Sequence, residues 1–297
     1  MHPGIKDLLK PELLNTVNGL ELVARILVEG FISGSNRSQM IGLGQEFSQY
    51  RSYEPGDDLR LLDWKMYARS ERYFTKLADI ETNITVKLVM DVSHSMAYEE
   101  QGVSKLHYTR MLIAALTYLA RKQGDAFGLY CINDTHIDVV HPRIEQQQFI
   151  RVLTTLIHSK AEGKWNRGEN LESILQHHGK ELFIFISDLY DEQGDILNFI
   201  SLLKTKRNEV LVLHLLGKQE RELEFEGSFT FEDLESGARI KADTATQQTM
   251  YRKQVTDWIG GLRNQLLERQ IGYEVIAMEE PVENVLRNFL NNRKKLL

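Results

Sequence analysis

Three oxygen-bearing side chains follow a run of apolar residues in the stretch VKLVMDVSHSM, residues 86–96. Asp91, Ser93 and Ser95 stand at alternate positions, so one loop can turn a carboxylate and two hydroxyls to the same side. Such a group can form the nucleophile site of a hydrolase, bind a hard cation, or cap a helix. These three interpretations place different demands on the surrounding residues.

The nucleophile interpretation requires features that this stretch lacks. A serine nucleophile in an α/β hydrolase usually lies in a G-x-S-x-G turn, which exposes its hydroxyl. Neither Ser93 nor Ser95 is flanked by these glycines. His94 is adjacent to Ser93 and Ser95, whereas a general base must approach the hydroxyl from across a pocket. The sequence therefore disfavours nucleophilic catalysis here.

The cap interpretation explains only one oxygen, because a single Ser or Asp side chain satisfies the free N–H groups of a helix start. It leaves Asp188 unexplained, which ends a second strongly apolar run, ELFIFISD. Mg²⁺ prefers oxygen ligands, with few carboxylates and several waters. The loop and Asp188 together supply such a set, with an open position for an acidic group of a partner. We favour the hard-cation site, with the helix cap as the alternative.

The elements that must position these residues alternate between strand and helix patterns from residue 84 onward. Strands are predicted at 84–92, 125–133, 135–142, 181–188, 209–217 and 272–278, and helices at 106–123, 146–159, 170–179, 192–206, 246–269 and 282–294. Apolar strands separated by amphipathic helices indicate a doubly wound α/β domain, with a mostly parallel sheet covered on both faces. Ligand sites of such sheets lie at the carboxyl ends of strands, where Asp91 and Asp188 both fall.

The chain is expected to have two parts. Residues 1–80 contain a predicted helix over 11–29, with Pro11 near its start and Gly30 past its end. Residues 81–297 form the α/β domain, with a small β-hairpin insertion near 218–245, where turn glycines separate two or three short strands.

The composition excludes several classes of function. The net charge of -6 gives no global electrostatic reason to bind nucleic acid or an anionic membrane. The single cysteine, Cys131, excludes an internal disulfide, fits a reducing compartment, and lies in an apolar run that predicts burial. The N-terminal region lacks the uninterrupted apolar run of a signal peptide or a membrane span. We therefore expect a soluble, cytoplasmic protein.

The D-x-S-x-S pattern after a buried strand resembles the metal-ion-dependent adhesion site (MIDAS) of von Willebrand factor A domains. This resemblance implies bound Mg²⁺ or Mn²⁺, and a small antiparallel edge strand after the first helix of the domain. In those domains a Thr from a second loop and an Asp from a third complete the site. Asp188 stands in the third-loop place, and Asn170 stands where the Thr is expected. The implied ligand set is Asp91, Ser93, Ser95, Asp188 and Asn170.

The stretch upstream of the α/β domain carries a second resemblance. Residues 42–76, GLGQEFSQYRSYEPGDDLRLLDWKMYARSERYFTK, resemble the signature of the bacterial family called domain of unknown function 58. The hallmark of the family is E-F, then R-x-Y-x-P-G-D-D-x-R, then D-W, A-R and a Lys, and all of these are present. Members are usually found beside MoxR-type AAA+ ATPases, so the resemblance implies such an ATPase as the partner.

The charged residues of this signature allow two interpretations. Nearly balanced Arg and Asp residues are typical of a segment that is fixed onto a neighbouring domain by charge pairing. Alternatively, the segment is a partner-binding surface, with Trp and Arg side chains of the kind that dominate interfaces. The residues of the candidate surface are Arg51, Tyr53, Asp57, Asp58, Arg60, Asp63 and Trp64.

Taken together, the sequence predicts a non-enzymatic, metal-dependent protein–protein interaction module that serves a MoxR-type ATPase as partner or adaptor. One alternative is a degenerate A domain that acts as a metal-free scaffold, because Asn170 replaces the expected Thr. Another is a hydrolase that uses a metal-bound water, although two carboxylates without an evident general base disfavour it.

Overall fold

The structure is a computed structural model that describes residues 14–34, 49–53, 62, 64–77, 84–134, 137–165, 172–175, 179–191, 194–224, 228–232 and 239–294. The chain divides into two compact units, one made of residues up to Phe31 with Ile84–Leu297 and the other of Ile32–Asn83. The boundary predicted near residue 80 falls close to the start of the second segment of the larger unit. Most of the N-terminal helix, Val17–Gly34, lies in the larger unit.

The described parts of the chain contain the following elements. The strands are β1 (Gln49–Ser52), β2 (Phe74–Leu77), β3 (Thr85–Asp91), β4 (Glu99–Glu100), β5 (Val103–Ser104), β6 (Ala126–Ile132), β7 (Ile137–Arg143), β8 (Glu181–Ser187), β9 (Asn208–Leu216), β10 (Ser228–Glu232), β11 (Arg239–Asp243) and β12 (Gly272–Ala277). The helices are α1 (Val17–Gly34), α2 (Trp64–Ser70), α3 (Lys105–Gln123), α4 (Gln148–His158), α5 (Glu172–Leu175), α6 (Asp195–Leu203), α7 (Lys218–Glu222), α8 (Thr244–Glu268) and α9 (Val282–Lys294).

A six-stranded sheet forms the centre of the larger unit, in the order β12-β9-β8-β3-β6-β7. Neighbouring strands are parallel except for β7, which lies antiparallel to β6 at one edge. This topology confirms the predicted doubly wound α/β fold. It also confirms the antiparallel edge strand after the first helix of the domain, which the resemblance to A domains implies.

The central strands are buried along nearly their whole length. Every residue of β8 is buried, as are six of the seven residues of β3. Helices on both faces of a parallel sheet exclude water from both, which is why these strands are continuously apolar rather than alternating. Cys131 lies in β6 and is buried, as predicted.

Helix α3 crosses from β3 to β6, and local signals fix both of its ends. The Ser104 hydroxyl accepts a hydrogen bond from the backbone N–H of His107 and so caps the first turn. Gly124 ends the helix in the left-handed conformation, with φ 75°, which glycine adopts without steric cost. The predicted range 106–123 therefore differs from the observed helix by one residue, Lys105, and that residue belongs to the site described below.

Helix α1 continues past the predicted exit at Gly30 and ends at Gly34. A single glycine costs a helix interior only about 1 kcal/mol relative to alanine, so tertiary packing decides whether the helix continues. Leu20, Val23 and Leu27 are buried on one side of this helix. Its predicted start at Pro11 lies outside the described residues.

The described residues of the smaller unit form an antiparallel pair of strands and a short helix. β1 pairs with β2 in a register that places Arg51 opposite Thr75, and α2 lies between them in sequence. The hairpin insertion predicted near 218–245 corresponds to the antiparallel pair β10–β11, which belongs to the larger unit. No helix in the described ranges is long and apolar enough to cross a membrane.

Candidate functional site

The site lies at the carboxyl ends of two adjacent parallel strands. Asp91 is the last residue of β3, and Asp188 directly follows β8. Since β3 and β8 are hydrogen-bonded neighbours, their ends meet at the same edge of the sheet. Both carboxylates are buried, with exposed fractions of 0% and 2%. The structure therefore brings together the first and third loops, as the sequence predicted.

Hydrogen bonds connect the two carboxylates through two serines. The Ser93 backbone N–H donates to Asp91 Oδ1 at 2.9 Å, and the Ser93 hydroxyl lies 3.1 Å from the Ser95 hydroxyl. The Ser95 hydroxyl donates to Asp188 Oδ1, also at 3.1 Å. We call Asp91, Ser93, Ser95 and Asp188 the oxygen row.

The helix-cap alternative does not account for Ser93. This residue precedes a 3₁₀ turn, His94–Ala97, but its side chain makes no capping hydrogen bond. Instead its hydroxyl lies against that of Ser95 within the oxygen row. The His94 side chain is exposed, and its backbone N–H donates to the Gly163 carbonyl oxygen at 2.8 Å.

Ser187 supports the oxygen row and was missed by the sequence analysis. Its hydroxyl donates to Asp91 Oδ2 at 2.6 Å and accepts a hydrogen bond from the Leu189 N–H at 2.8 Å. The signal that marks it is a polar residue at the end of an otherwise apolar strand, immediately before Asp188. Leu189 has a positive φ of 54°, a strained conformation for a non-glycine residue that recurs at functional sites.

Lys105 places a buried cation beside the oxygen row. Its side chain is 1% exposed, and Nζ lies 2.7 Å from Asp188 Oδ2 and 2.6 Å from Glu220 Oε1. The ammonium also lies over the Tyr98 ring, 5.2 Å from its centroid, within the range of a cation–π interaction. Neither Lys105 nor Glu220 was predicted from the sequence. The available signal was a lysine immediately before the start of the predicted helix 106–123, where the helix dipole disfavours positive charge.

His214 holds the backbone of Asp188 through a hydrogen bond to its carbonyl oxygen. His214 Nε2 lies 2.8 Å from the Asp188 carbonyl oxygen, and Nδ1 lies 2.6 Å from the Tyr273 hydroxyl. A carbonyl oxygen can only accept, so Nε2 carries the proton and the Tyr273 hydroxyl donates to Nδ1. Burial lowers the pKa of His214 to about 4, which keeps the ring neutral at pH 7. Trp258 packs edge-on against the imidazole, with 5.1 Å between ring centroids.

The two carboxylates of the oxygen row differ in their protonation behaviour. Burial, together with the charge of Asp188, raises the pKa of Asp91 to about 6. Burial also acts to raise the pKa of Asp188, but the Lys105 ammonium outweighs it and holds that pKa below its usual range. Burial opposes the charge of Lys105, yet Asp188 and Glu220 raise its pKa above the usual value. At neutral pH the cluster therefore contains more negative than positive charge.

The donor set of the oxygen row fits a hard divalent cation. Carboxylates and hydroxyls are the ligands that Mg²⁺ prefers, and they would hold it at the carboxyl edge of the sheet. The described residues contain no group of three or more His, Cys, Asp or Glu side chains that could hold a metal ion. The donors of the oxygen row are two carboxylates and two hydroxyls. Asn170, the expected second-loop ligand, lies outside the described residues.

The residues predicted to bind a partner belong to the smaller unit. Trp64 is 62% exposed and makes an edge contact with Tyr67, at 6.3 Å between ring centroids. Tyr67 stacks on Tyr73 at 4.6 Å, and Tyr73 packs against Tyr53 at 6.3 Å. We call these four side chains the aromatic row, of which the sequence analysis identified Tyr53 and Trp64. The predicted residues Asp57, Asp58, Arg60 and Asp63 lie outside the described part of the chain.

Comparison with known proteins gives the family. A family model described as "Protein of unknown function DUF58" matches residues 49–257, well over half of the chain. The chain belongs to the DUF58 family. The matched range includes the oxygen row, Lys105 and Glu220, as well as the strands that carry them.

Two curated proteins and two solved structures are similar to most of the chain. "Uncharacterized protein Mb1516" of Mycobacterium bovis and "Uncharacterized protein Rv1480" of Mycobacterium tuberculosis are each 24% identical over 285 residues, covering 91% of this chain and 89% of theirs. Among solved structures, BatB from Bacteroides thetaiotaomicron is 14% identical with a TM-score of 0.45, covering 71% of this chain and 99% of that one. The SpRpn10 VWA domain is 8% identical with a TM-score of 0.39, covering 69% and 94%. The DUF58 chain thus carries its family match on a unit with a mostly parallel six-stranded sheet.

Proposed function

We propose that this chain is a non-enzymatic, MIDAS-like protein-interaction module whose α/β unit binds a partner through Mg²⁺ or Mn²⁺. The observation that supports the proposal is the oxygen row, in which two carboxylates and two hydroxyls are buried together and joined by hydrogen bonds. When bound, a divalent cation would neutralise the excess negative charge of this cluster.

The composition of the oxygen row suits a shared cation. Four protein oxygens do not fill an octahedral coordination sphere, and a carboxylate from a partner would complete it. The free energy of partner binding would then depend on the metal concentration, because metal and partner bind the same state of the site. This dependence separates the proposal from association through surface packing alone.

For the partner we propose a MoxR-type AAA+ ATPase, with the chain as its adaptor in complex assembly or chaperone-like activation. Support comes from the signature in residues 42–76, which carries this implication for the DUF58 family. The aromatic row offers a second contact surface, since exposed Trp and Tyr side chains dominate many interfaces. A cytoplasmic location fits a chain whose only cysteine is buried in a strand.

One observation supports a second candidate function, a metal-free scaffold. Lys105 already pairs with Asp188, so part of the negative charge is balanced without a metal ion. A hydrolase has less support, because both ring nitrogens of His214 are engaged in hydrogen bonds that hold the site together. That histidine is therefore not available as a general base.

Calorimetric titration with Mg²⁺ and Mn²⁺ tests the metal. We expect saturable binding to the wild type and none to Asp91→Ala, whereas Asp257→Asn, an exposed change on α8, should bind as the wild type does. Capture of the purified ATPase should then occur with Mg²⁺ and be lost in EDTA. Equal capture under both conditions, with no metal bound, would leave the metal-free scaffold as the function.

A further inference from the structure

Lys105 lies between two carboxylates that come from different parts of the chain. Asp188 follows β8, and Glu220 belongs to α7, 115 residues from Lys105. Both contacts are short, at 2.7 and 2.6 Å, and the ammonium is removed from water. A buried ion pair of this kind is costly to break, because one partner is left charged without compensation.

The Asp188 carboxylate faces the oxygen row and the ammonium at the same time. Its Oδ1 accepts hydrogen bonds from the Ser95 hydroxyl and the Tyr190 N–H, whereas its Oδ2 accepts from Lys105. A divalent cation held by the oxygen row would therefore share one carboxylate with a positive charge a few ångströms away. Repulsion between like charges at such a distance is strong in a buried site, since screening by water is weak.

Glu220 is held in place independently of Lys105. Its Oε2 accepts a hydrogen bond from the Gly217 N–H at 2.8 Å, and the Tyr251 hydroxyl donates to its carbonyl oxygen at 2.7 Å. Gly217 itself approaches the loop after the oxygen row so closely that an added Cβ would lie 2.7 Å from Tyr98 Cε1. The position of Glu220 is thus fixed by the packing of α7, and its carboxylate shares the Lys105 ammonium with that of Asp188.

We propose that Lys105 is an internal cation that sets the metal affinity of the site by competing with the bound divalent ion for Asp188, and that Glu220 moderates this competition. The proposal rests on the proposed function, because it assumes that the oxygen row holds a metal. It assigns opposite effects to two residues in direct contact. Loss of Lys105 tightens metal binding, and loss of the Glu220 charge weakens it.

The test is calorimetric titration of Mg²⁺ into Lys105→Met, Glu220→Gln and the double variant. We expect Lys105→Met to bind about tenfold or more tightly than the wild type, from the charge removed. Glu220→Gln should bind several-fold more weakly. The double variant should match Lys105→Met, because Glu220 acts through the lysine. Lys122→Met, which removes an exposed charge from the same helix, is the matched control and should bind as the wild type does.

Thermal unfolding gives a second readout that does not depend on affinity. Without metal, Lys105→Met should unfold at a lower temperature than the wild type, and Mg²⁺ should raise its midpoint more than that of the wild type. If Lys105→Met does not fold, Glu220→Gln provides the test, because the Glu220 side chain is partly exposed and the substitution is milder. Mg²⁺ binding by Glu220→Gln that is as tight as that of the wild type, or tighter, would overturn the proposal.

The remaining outcomes separate this inference from the proposed function. Weaker or unchanged binding by Lys105→Met would show that the lysine positions Asp188 rather than competing with the metal, and would overturn the inference alone. Mg²⁺ binding by Lys105→Met but not by the wild type would support the inference. It would also reject the proposal that the wild-type chain binds its partner through a metal ion. Absence of binding to every variant would overturn both. A double variant weaker than Lys105→Met would show that Glu220 acts on the metal ion directly, through its charge or as a ligand, contrary to the role assigned here.

Discussion

Asp91 and Asp188 share one buried cluster but differ in the groups that balance their charge. The Lys105 ammonium lies 2.7 Å from Asp188 Oδ2, whereas Asp91 accepts hydrogen bonds from the Ser187 hydroxyl and the Ser93 N–H. Two carboxylates at adjacent strand ends thus have pKa values displaced in opposite directions. Asp91 accepts hydrogen bonds from these neutral groups, whereas Asp188 is paired with an ammonium. The protonation of Asp91 should therefore respond strongly to changes in the charge of the site.

The first prediction concerns pH. The pKa of Asp91 is raised from 3.8 to about 6, so its contribution to stability is present below pH 4 and is lost as the pH rises through 6. Asp91→Asn remains neutral throughout. Relative to the wild type, it should therefore gain up to about 3 kcal/mol in unfolding free energy between pH 4 and 7. Urea denaturation in EDTA measures this difference.

The comparison with Asp91→Asn also removes an opposing contribution. The pKa of His214 is lowered from 6.5 to about 4, so its contribution is present above pH 6.5 and is lost as the pH falls toward 4. Both proteins contain this histidine, and its effect cancels in the difference. A difference that does not vary with pH would show that Asp91 has an ordinary pKa.

The second prediction concerns Ser187, whose hydroxyl donates a hydrogen bond to Asp91. Ser187→Ala removes a donor from Asp91 and an acceptor from the Leu189 N–H, and both of these groups are buried. We expect a loss of about 1–3 kcal/mol in unfolding free energy, the usual cost of leaving a buried polar group unsatisfied. Ser201→Ala should cost less, because the Ser201 hydroxyl donates within its own helix and accepts only from the exposed Arg269 side chain. Equal losses would contradict a special role for Ser187.

The third prediction concerns the tautomer of His214. The hydrogen bonds require a proton on Nε2 and a free lone pair on Nδ1, which nitrogen-15 NMR distinguishes by chemical shift. Tyr273→Phe removes the hydroxyl that donates to Nδ1 and should lower the unfolding free energy by about 1 kcal/mol. An Nδ1-protonated ring in the wild type would contradict the arrangement described here.

The fourth prediction concerns the aromatic row of the smaller unit. Trp64→Ala should leave the unfolding free energy within about 0.5 kcal/mol of the wild type, because the side chain is largely exposed. If the row binds the ATPase, the same change should weaken binding by about 2 kcal/mol or more, as at interface hot spots. Ile144→Ala, equally exposed but in the other unit, is the control. Unchanged ATPase binding by Trp64→Ala would exclude this surface.

Much of the fold follows from periodicity, because the helices and strands of a doubly wound domain alternate in a way that hydrophobic spacing records. The predicted helix 282–294 matches α9, and the strand at 181–188 matches β8 within one residue. Asp91 and Asp188 could be placed together from the rule that sites lie at carboxyl ends of parallel strands. That rule needs only the order of elements along the chain.

The rest of the site depends on contacts that the local sequence does not encode. A lysine at the start of an amphipathic helix normally lies in water, whereas the buried Lys105 pairs with Asp188 and with Glu220, 115 residues further along. The role of His214 likewise depends on Tyr273, in a strand that follows much later. The end of α1 could not be predicted from Gly30, because tertiary packing outweighs the small preference of glycine against helix.

The burial of Cys131 makes the chain suited to site-directed labelling. It is the only thiol, it is enclosed within β6, and burial raises its pKa far above neutral, so thiol-reactive dyes will not modify the native protein. A cysteine introduced at Met250, which is exposed on α8, would accept a single fluorophore without removal of the natural residue. The neighbouring Tyr251 donates a hydrogen bond to the carbonyl oxygen of Glu220, the residue whose carboxylate pairs with Lys105. A fluorophore at residue 250 would therefore lie one residue from a side chain that contacts the site.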